Sequence, residues 1–236
     1  MSRPAVEAAG LVLAYGDTIA LAESDLSLPS RSVIALIGPN GSGKSSLVSA
    51  IAGLHRPRAG SISVLGMPPR DVRSRVALVP QSTQVNDSLP VTVREVVAMG
   101  RYAALGMLGR FQEDSRRAVD DALERLDLKD LEGRHVRELS GGQRQRVFVA
   151  QGLVQPRDLL LLDEPTTGLD VVSTDVIHRV LEDERSAGRT VALTTHDFAE
   201  ARRADHVVLL ANRVVAAGEP EAVFTPGNLA AAYGLE

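Results

Sequence analysis

Cysteine is absent from the 236 residues, which removes disulfides and thiolate metal ligands and permits a reducing compartment. Long apolar runs are missing as well. Spanning a bilayer takes about 20 predominantly apolar residues, and candidates such as 159–162 and 207–210 fall far short. Any membrane role is therefore expected to come through a partner. Residues 1–10 hold no apolar segment of the signal-peptide type, so the chain is expected to stay inside the cell. Nor is there a dense cluster of lysine and arginine; with a formal net charge of -4, nucleic acid is not expected among the partners. The five histidines, at positions 55, 135, 178, 196 and 206, show no i,i+3 or i,i+4 pairing, and no transition-metal site within the chain is expected.

What is present is an ordinary globular composition, 44% hydrophobic and 24% charged. Its length suits one large α/β domain, or one domain carrying a subdomain. The stretch that organises it is Gly38-Pro39-Asn40-Gly41-Ser42-Gly43-Lys44-Ser45, between the apolar run 33–37 and a helix-like segment at 46–52. Glycines at 38, 41 and 43 let the backbone fold tightly and turn its N–H groups inward, toward anionic oxygens at the positive end of the next helix. Lys44 adds a mobile charge for outer phosphates, and Ser45 a hydroxyl for magnesium.

Before the cradle, 6–14 and 19–28 read as two antiparallel strands joined at Gly16-Asp17, with Tyr15 at the turn. After it come short strands at 61–65 and 76–79. From 80 to about 139 the texture changes to a polar loop, 81–90, and helical patterns at 91–99 and 113–126. Ala118, Ala122, Leu123 and Leu126 form one apolar face of the second. Periodicity fits a helical insertion and a pair of sheet-covering crossovers equally well. A helix at 143–153, a buried strand at 159–162, a helix at 171–186, a strand at 190–194, a short helix at 197–203, strands at 206–210 and 213–217, and a helical tail from 220 complete the pattern.

Asp163 and Glu164 stand at the carboxyl end of the buried strand, where ligands gather in open α/β sheets. Asp163 can hold magnesium through water, and Glu164 can take a proton from an attacking water; capping of the following helix is the other use of such a pair. Leu139-Ser140-Gly141-Gly142-Gln143 is a second helix start able to hold an anion, or simply a flexible cap. One nucleotide hardly needs two cradles. The economical explanation is a composite site, this element of one chain closing over the nucleotide of another.

Together, the cradle, Gln81, 139–143, Leu162-Asp163-Glu164-Pro165, Leu169-Asp170 and His196 resemble the ordered motif set of the ATP-binding cassette ATPases, over almost the whole chain. The resemblance implies an α/β P-loop fold: a mixed sheet and antiparallel β part from 1–80 and 140–236, with a helical subdomain at 81–139. It implies ATP and Mg²⁺ as ligands. Nucleotide binding would fall to Tyr15, stacked on adenine, and to Gly38, Pro39, Asn40, Gly41, Ser42, Gly43, Lys44, Ser45 and Ser46. Magnesium would be held by Ser45, Gln81 and Asp163; catalysis would rest on Glu164, His196 and Gln81. Leu139, Ser140, Gly141, Gly142 and Gln143 would act on the partner's nucleotide, and Asp170 would reach across the pair. Thr167-Gly168-Leu169-Asp170 departs from the Ser-Ala-Leu-Asp of many relatives but keeps the aspartate.

Single-cassette chains of this kind resemble transporter motors that sit on the inner membrane face, cytoplasmic and peripheral, bound to separate integral membrane permease subunits. Such a chain forms a homodimer on nucleotide binding and serves an extracytoplasmic solute-binding protein indirectly. The segment Val79-Pro80-Gln81 followed by 91–102 is similar to subunits of zinc and manganese importers, and less closely to those of iron-chelate importers. Two other classes are a soluble cassette protein acting on ribosomes, DNA or cluster assembly, and a P-loop kinase. The first usually needs tandem cassettes, a coiled coil or a basic surface; the second leaves 139–143 and His196 without a purpose.

Overall fold

A computed structural model describes residues 3–81, 90–105 and 113–234. The polar loop expected at 81–90 lies outside the described residues except for its two ends. Strands β1 (Val6–Tyr15) and β2 (Thr18–Leu28) pair antiparallel through the turn at Gly16-Asp17. Next come β3 (Val33–Ile37), α1 (Lys44–Ile51), β4 (Ala59–Val64) and β5 (Val76–Val79). Helices α2 (Val93–Leu105), α3 (Glu113–Arg125) and α4 (Gly141–Leu153) precede β6 (Leu159–Asp163). The chain continues through α5 (Val171–Ser186), β7 (Thr190–Thr195) and α6 (Phe198–Ala201). It ends with β8 (His206–Leu210), β9 (Val214–Gly218), α7 (Pro220–Val223) and α8 (Pro226–Tyr233).

The strands form two sheets, an antiparallel one ordered β2-β1-β4 and a six-stranded one ordered β5-β6-β7-β3-β8-β9, parallel except for β9. Every side chain of β3 and β7 is buried. A parallel strand covered on both faces is largely apolar, which is why 33–37 and 159–162 read as unbroken apolar runs, while β7 carries its threonines at its two ends. Side chains alternate between two cores, as the pleat requires. Ile34, Leu36, Leu159 and Leu161 meet the antiparallel sheet and α1; Val33, Ala35, Ile37, Leu160 and Leu162 meet the helical side, where α4 and α5 pack.

Helix ends differ from the periodic reading because caps, rather than apolar repeats, set them. Helix α2 begins at Val93, where Thr92 Oγ1 accepts from the Glu95 N–H and the Glu95 carboxylate accepts from the Thr92 N–H at 2.8 Å, a reciprocal cap. Helix α4 begins at Gly141 through the same device, and α6 is shorter than expected, with Asp197 as its cap. Helices α2 and α3 pack on each other and on α4, which in turn rests on β5 and β6.

Candidate functional site: a phosphate cradle beside paired carboxylates

The strand order β5-β6-β7-β3 places four loops side by side at the carboxyl edge of the parallel sheet. Register pairs Val79 with Leu162, Asp163 with Thr194 and Ile37 with Thr195. Gln81, the Asp163–Glu164 pair, His196 and the cradle are thus neighbours although their sequence positions span more than a hundred residues. Crevices at this edge are where α/β sheets bind ligands.

In the cradle, glycine is required by space as well as by backbone. A side chain at Gly38 would put Cβ 2.1 Å from the Leu210 carbonyl oxygen, and Gly43, at φ 97°, would meet the Ala20 carbonyl at 2.6 Å. Gly43 is the N-cap of α1 and supplies no side chain, so the first-turn N–H groups have no side-chain partner. They are left to an anion. Lys44 is 5% exposed and its ammonium donates to the carbonyls of Gly38 at 2.8 Å and Pro39 at 3.1 Å. Burial lowers its pKa, against the charges of Glu164 and Asp163, which raise it. Ser42 Oγ is buried with no partner in the protein. An unpaired hydroxyl beside a desolvated ammonium is costly unless a polar ligand arrives.

The carboxylates are held from β7. Thr194 Oγ1 donates to Asp163 Oδ1 at 2.6 Å and accepts from the Glu164 N–H at 2.8 Å; Ser45 Oγ donates to the same Asp163 oxygen at 3.2 Å. Glu164 adopts φ 50°, a left-handed conformation that non-glycine residues rarely enter and that clusters at functional sites. Its Oε2 accepts from the Gln81 amide at 2.8 Å and lies 4.0 Å from His196 Nδ1. Capping of α5 falls instead to Asp170, whose Oδ1 accepts from the Ser173 N–H at 2.8 Å and whose Oδ2 accepts from the Ser173 hydroxyl at 3.2 Å. These bonds, the backbone one first, hold its carboxyl below the usual carboxylate range.

These elements line one cleft of about 950 Å³, bounded by Tyr15, 40–46, Gln81, Glu164, Thr167 and His196. Tyr15 is half exposed at its rim, its ring tilted against His55 with centroids 4.4 Å apart. Ser45, Asp163 and Gln81 present oxygen donors around the cradle helix, the hard set that magnesium takes when it shares its shell with phosphates. Among the described residues no group of three His, Cys, Asp or Glu side chains could hold a metal without such help. The oxygen donors of Ser45, Asp163 and Gln81 are of the type that fits magnesium.

The residues 139–143 and Asp170 do not line this cleft. Ser140 is exposed, its Oγ accepting from the Gln143 N–H at 3.2 Å, and Leu139 is buried. Gly142 backs directly onto the Asp170 cap, where a Cβ would lie 2.7 Å from Asp170 Oδ2.

The ABC transporter family profile matches residues 21–167. The chain belongs to the ABC transporter family. It is 36% identical over 97% of its length, and 96% of the relative's, to the manganese transport system ATP-binding protein MntB of Listeria monocytogenes. To the zinc transport system ATP-binding protein TroB of Treponema pallidum it is 39% identical over 98% of this chain and 87% of the relative. A bacterial ABC transporter cassette solved as a dimer superposes with a TM-score of 0.78 at 25% identity, covering 91% of this chain and 98% of that one. This ABC chain is an ATPase, with the α/β fold of its family.

Several groups at the ABC site escape a reading of motifs. Thr194 holds the Asp163 carboxylate and the Glu164 backbone N–H, and Asn212 ties the cradle to β2, its N–H donating to Ser42 O at 3.1 Å and its carbonyl accepting from the Ala22 N–H at 2.6 Å. Asn212 sits at φ 54°, between two strands. An asparagine between apolar runs is a turn signal, the one hint available for it.

Proposed function

We propose that two copies of this chain bind two MgATP molecules at a shared interface and, by hydrolysing them, drive the import of manganese or zinc through separate integral membrane subunits. The observation that carries the catalytic part is the Gln81–Glu164–His196 group at the lip of the cradle cleft. Gln81 donates to Oε2 and turns the carboxylate, leaving Oε1 to accept a proton as water attacks the terminal phosphorus. The new P–O bond forms as the bond to the bridging oxygen breaks, so that ADP and phosphate leave. Lys44 and the α1 N-terminus meet the charge on the phosphoryl oxygens, and His196 orients Glu164 and the water. Magnesium, held by Ser45, Gln81 and Asp163, would neutralise phosphate charge when bound. Tyr15 offers its exposed face to the adenine.

The dimer is supported by the position of Ser140, Gly141 and Gly142: a helix N-terminus of the kind that binds anions, placed off the cleft of its own chain. Both oxygens of Asp170 serve its own helix, and the contact of this segment with the other chain is assigned to its exposed residues, Thr167, Gly168 and Asp170. We take 81–139 as a helical subdomain that meets the membrane subunits, with exposed Met99 on α2 as apolar surface for them. Among the described residues no helix is long and apolar enough to cross a membrane. In this reading, supported by the similarity to transport-system ATP-binding proteins, the chain acts at the inner membrane face, and an extracytoplasmic binding protein delivers the metal. The metal assignment follows from the named relatives.

Steady-state phosphate release measured beside ATP binding tests the catalytic part. Glu164→Gln is expected to slow turnover by about 10²–10⁴-fold, the range for losing a general base, with ATP binding kept. Turnover at the wild-type rate would remove Glu164 from this role. Uptake of radioactive manganese or zinc into membrane vesicles carrying the co-purified subunits tests the cargo, and ATP-driven uptake of neither ion would reject it.

A further inference from the structure

A buried carboxylate away from the cleft joins the two loops that carry the proposed chemistry. Glu200 on α6 is 7% exposed. Its Oε1 accepts from the Thr166 hydroxyl at 2.9 Å and lies 3.3 Å from His178 Nε2 on α5. Arg203 Nη1 stands 2.8 Å from His178 Nδ1. A guanidinium can only donate, so Nδ1 accepts, Nε2 carries the proton, and His178 donates to Glu200. Thr166 lies two residues after Glu164, and Glu200 four residues after His196. The β6–β7 pairing, with the Thr194 to Asp163 bond, fastens the two loops at their base; Glu200 and Thr166 fasten them beyond the reacting groups. The other oxygen, Oε2, is buried without a protein partner, a desolvation cost that packing alone would not require.

We propose that Glu200 is a positioning residue: through Thr166 it holds the loop of Glu164 in register with the His196 segment, so that base and histidine converge on one phosphate. The inference rests on Glu164 as general base. Glu164 has a left-handed backbone, and a loop free to relax from it would carry the carboxylate out of line with the water. Misplacement on the ångström scale costs about 100-fold in rate, while the nucleotide is gripped elsewhere, by the cradle.

The test is kcat and ATP Kd of the full-length chain for wild type, Glu164→Gln, Glu200→Ala, Glu200→Gln, Thr166→Val and the Glu200→Ala/Thr166→Val double variant. Glu200→Ala is expected to lower kcat by about 10- to 100-fold with Kd within about twofold of wild type. Glu200→Gln, whose amide oxygen still accepts from Thr166 and His178, is expected to restore most of the rate. Thr166→Val is expected to slow turnover in the same way, and the double variant to be little worse than either single one. Wild-type kcat in Glu200→Ala, a loss of ATP binding that matches the loss of kcat, or additive effects of the two changes would each overturn the proposal. Should Glu200→Ala fail to fold, Thr166→Val and Glu200→Gln decide it: a slow Thr166→Val with intact Kd and a near-normal Glu200→Gln support it, and a wild-type Thr166→Val overturns it. Wild-type turnover in Glu164→Gln would instead mark failure of the reading on which the proposal rests.

Discussion

Glu164 and Glu184 belong to the same fold and are treated in opposite ways. Glu184, on α5, is wholly buried; its Oε1 accepts from Arg125 at 2.8 Å and Arg189 at 2.6 Å, and its Oε2 from Arg157 at 2.6 Å. Burial alone would raise its pKa, but the charge of Arg157 and the bonds from Arg189, Arg125 and Arg157 outweigh it and hold the carboxyl below its ordinary range. Glu164 has one amide donor on its carboxylate, a histidine at 4.0 Å and a left-handed backbone. Around it, Lys44 is desolvated and Ser42 Oγ has no partner. Where α3, α5 and the start of β7 meet, each carboxylate oxygen is answered by an arginine; at the cleft, Glu164 has, among the described residues, only the Gln81 amide as donor to its carboxylate. A polar group left short of partners inside a fold costs stability and is tolerated where a ligand completes it.

The contrast can be broken most directly at Glu184. Glu184→Ala leaves the buried Arg157 guanidinium, with Arg125 and Arg189 beside it, without its carboxylate and should lower the unfolding free energy by about 3–5 kcal/mol, read from urea denaturation. Glu164→Gln in the same assay should stay within about 0.5 kcal/mol of wild type. Equal losses in the two variants would erase the distinction between a structural and a functional carboxylate. At the cleft rim, Tyr15→Ala should weaken ATP binding by about 1–3 kcal/mol, the usual worth of stacking a base on an aromatic ring, while Tyr15→Phe keeps most of it. Calorimetric titration separates these, and an unchanged Kd in Tyr15→Ala would remove Tyr15 from the site.

The smallest expected effect is in acid. A carboxyl whose folded pKa is depressed contributes stability that is fully present above its unfolded value, about pH 4.3, and is lost as pH falls through the folded value. Wild-type stability should therefore fall more steeply below that pH than the stability of Glu184→Gln, which has no carboxyl to titrate there. Parallel acid profiles would contradict the arginine-held carboxylate.

How much of this was legible in the sequence depends on how far apart the parts lie. The cradle, the Asp163–Glu164 pair and the buried strands could be read because each is a local pattern of a few residues with a physical cause: glycines for a tight turn, apolar runs for strands covered on both faces. Starts of α2 and α4 were missed by two residues where caps decide them, although Thr92-x-x-Glu95 is itself a readable capping pattern. Thr194, Glu200 and the Arg125 partner of Glu184 could not be read at all. Thr194 and Glu200 gain their roles only once β6, β7 and α6 are neighbours, and Arg125 only where α3 meets α5; periodicity carries no record of contacts between residues 31, 34 and 59 positions apart. The tilt of Tyr15 against His55 is of the same kind.

The central claim is that the cleft of one chain is closed by residues 139–143 of another. The oligomeric state of Glu164→Gln, measured by light scattering with saturating MgATP and again without nucleotide, tests it most directly. The account predicts a dimer only with MgATP, and its loss when Ser140 is replaced by arginine, which would block the helix N-terminus proposed to meet the partner's phosphates. A chain that binds MgATP and stays monomeric with its membrane subunits present would contradict it.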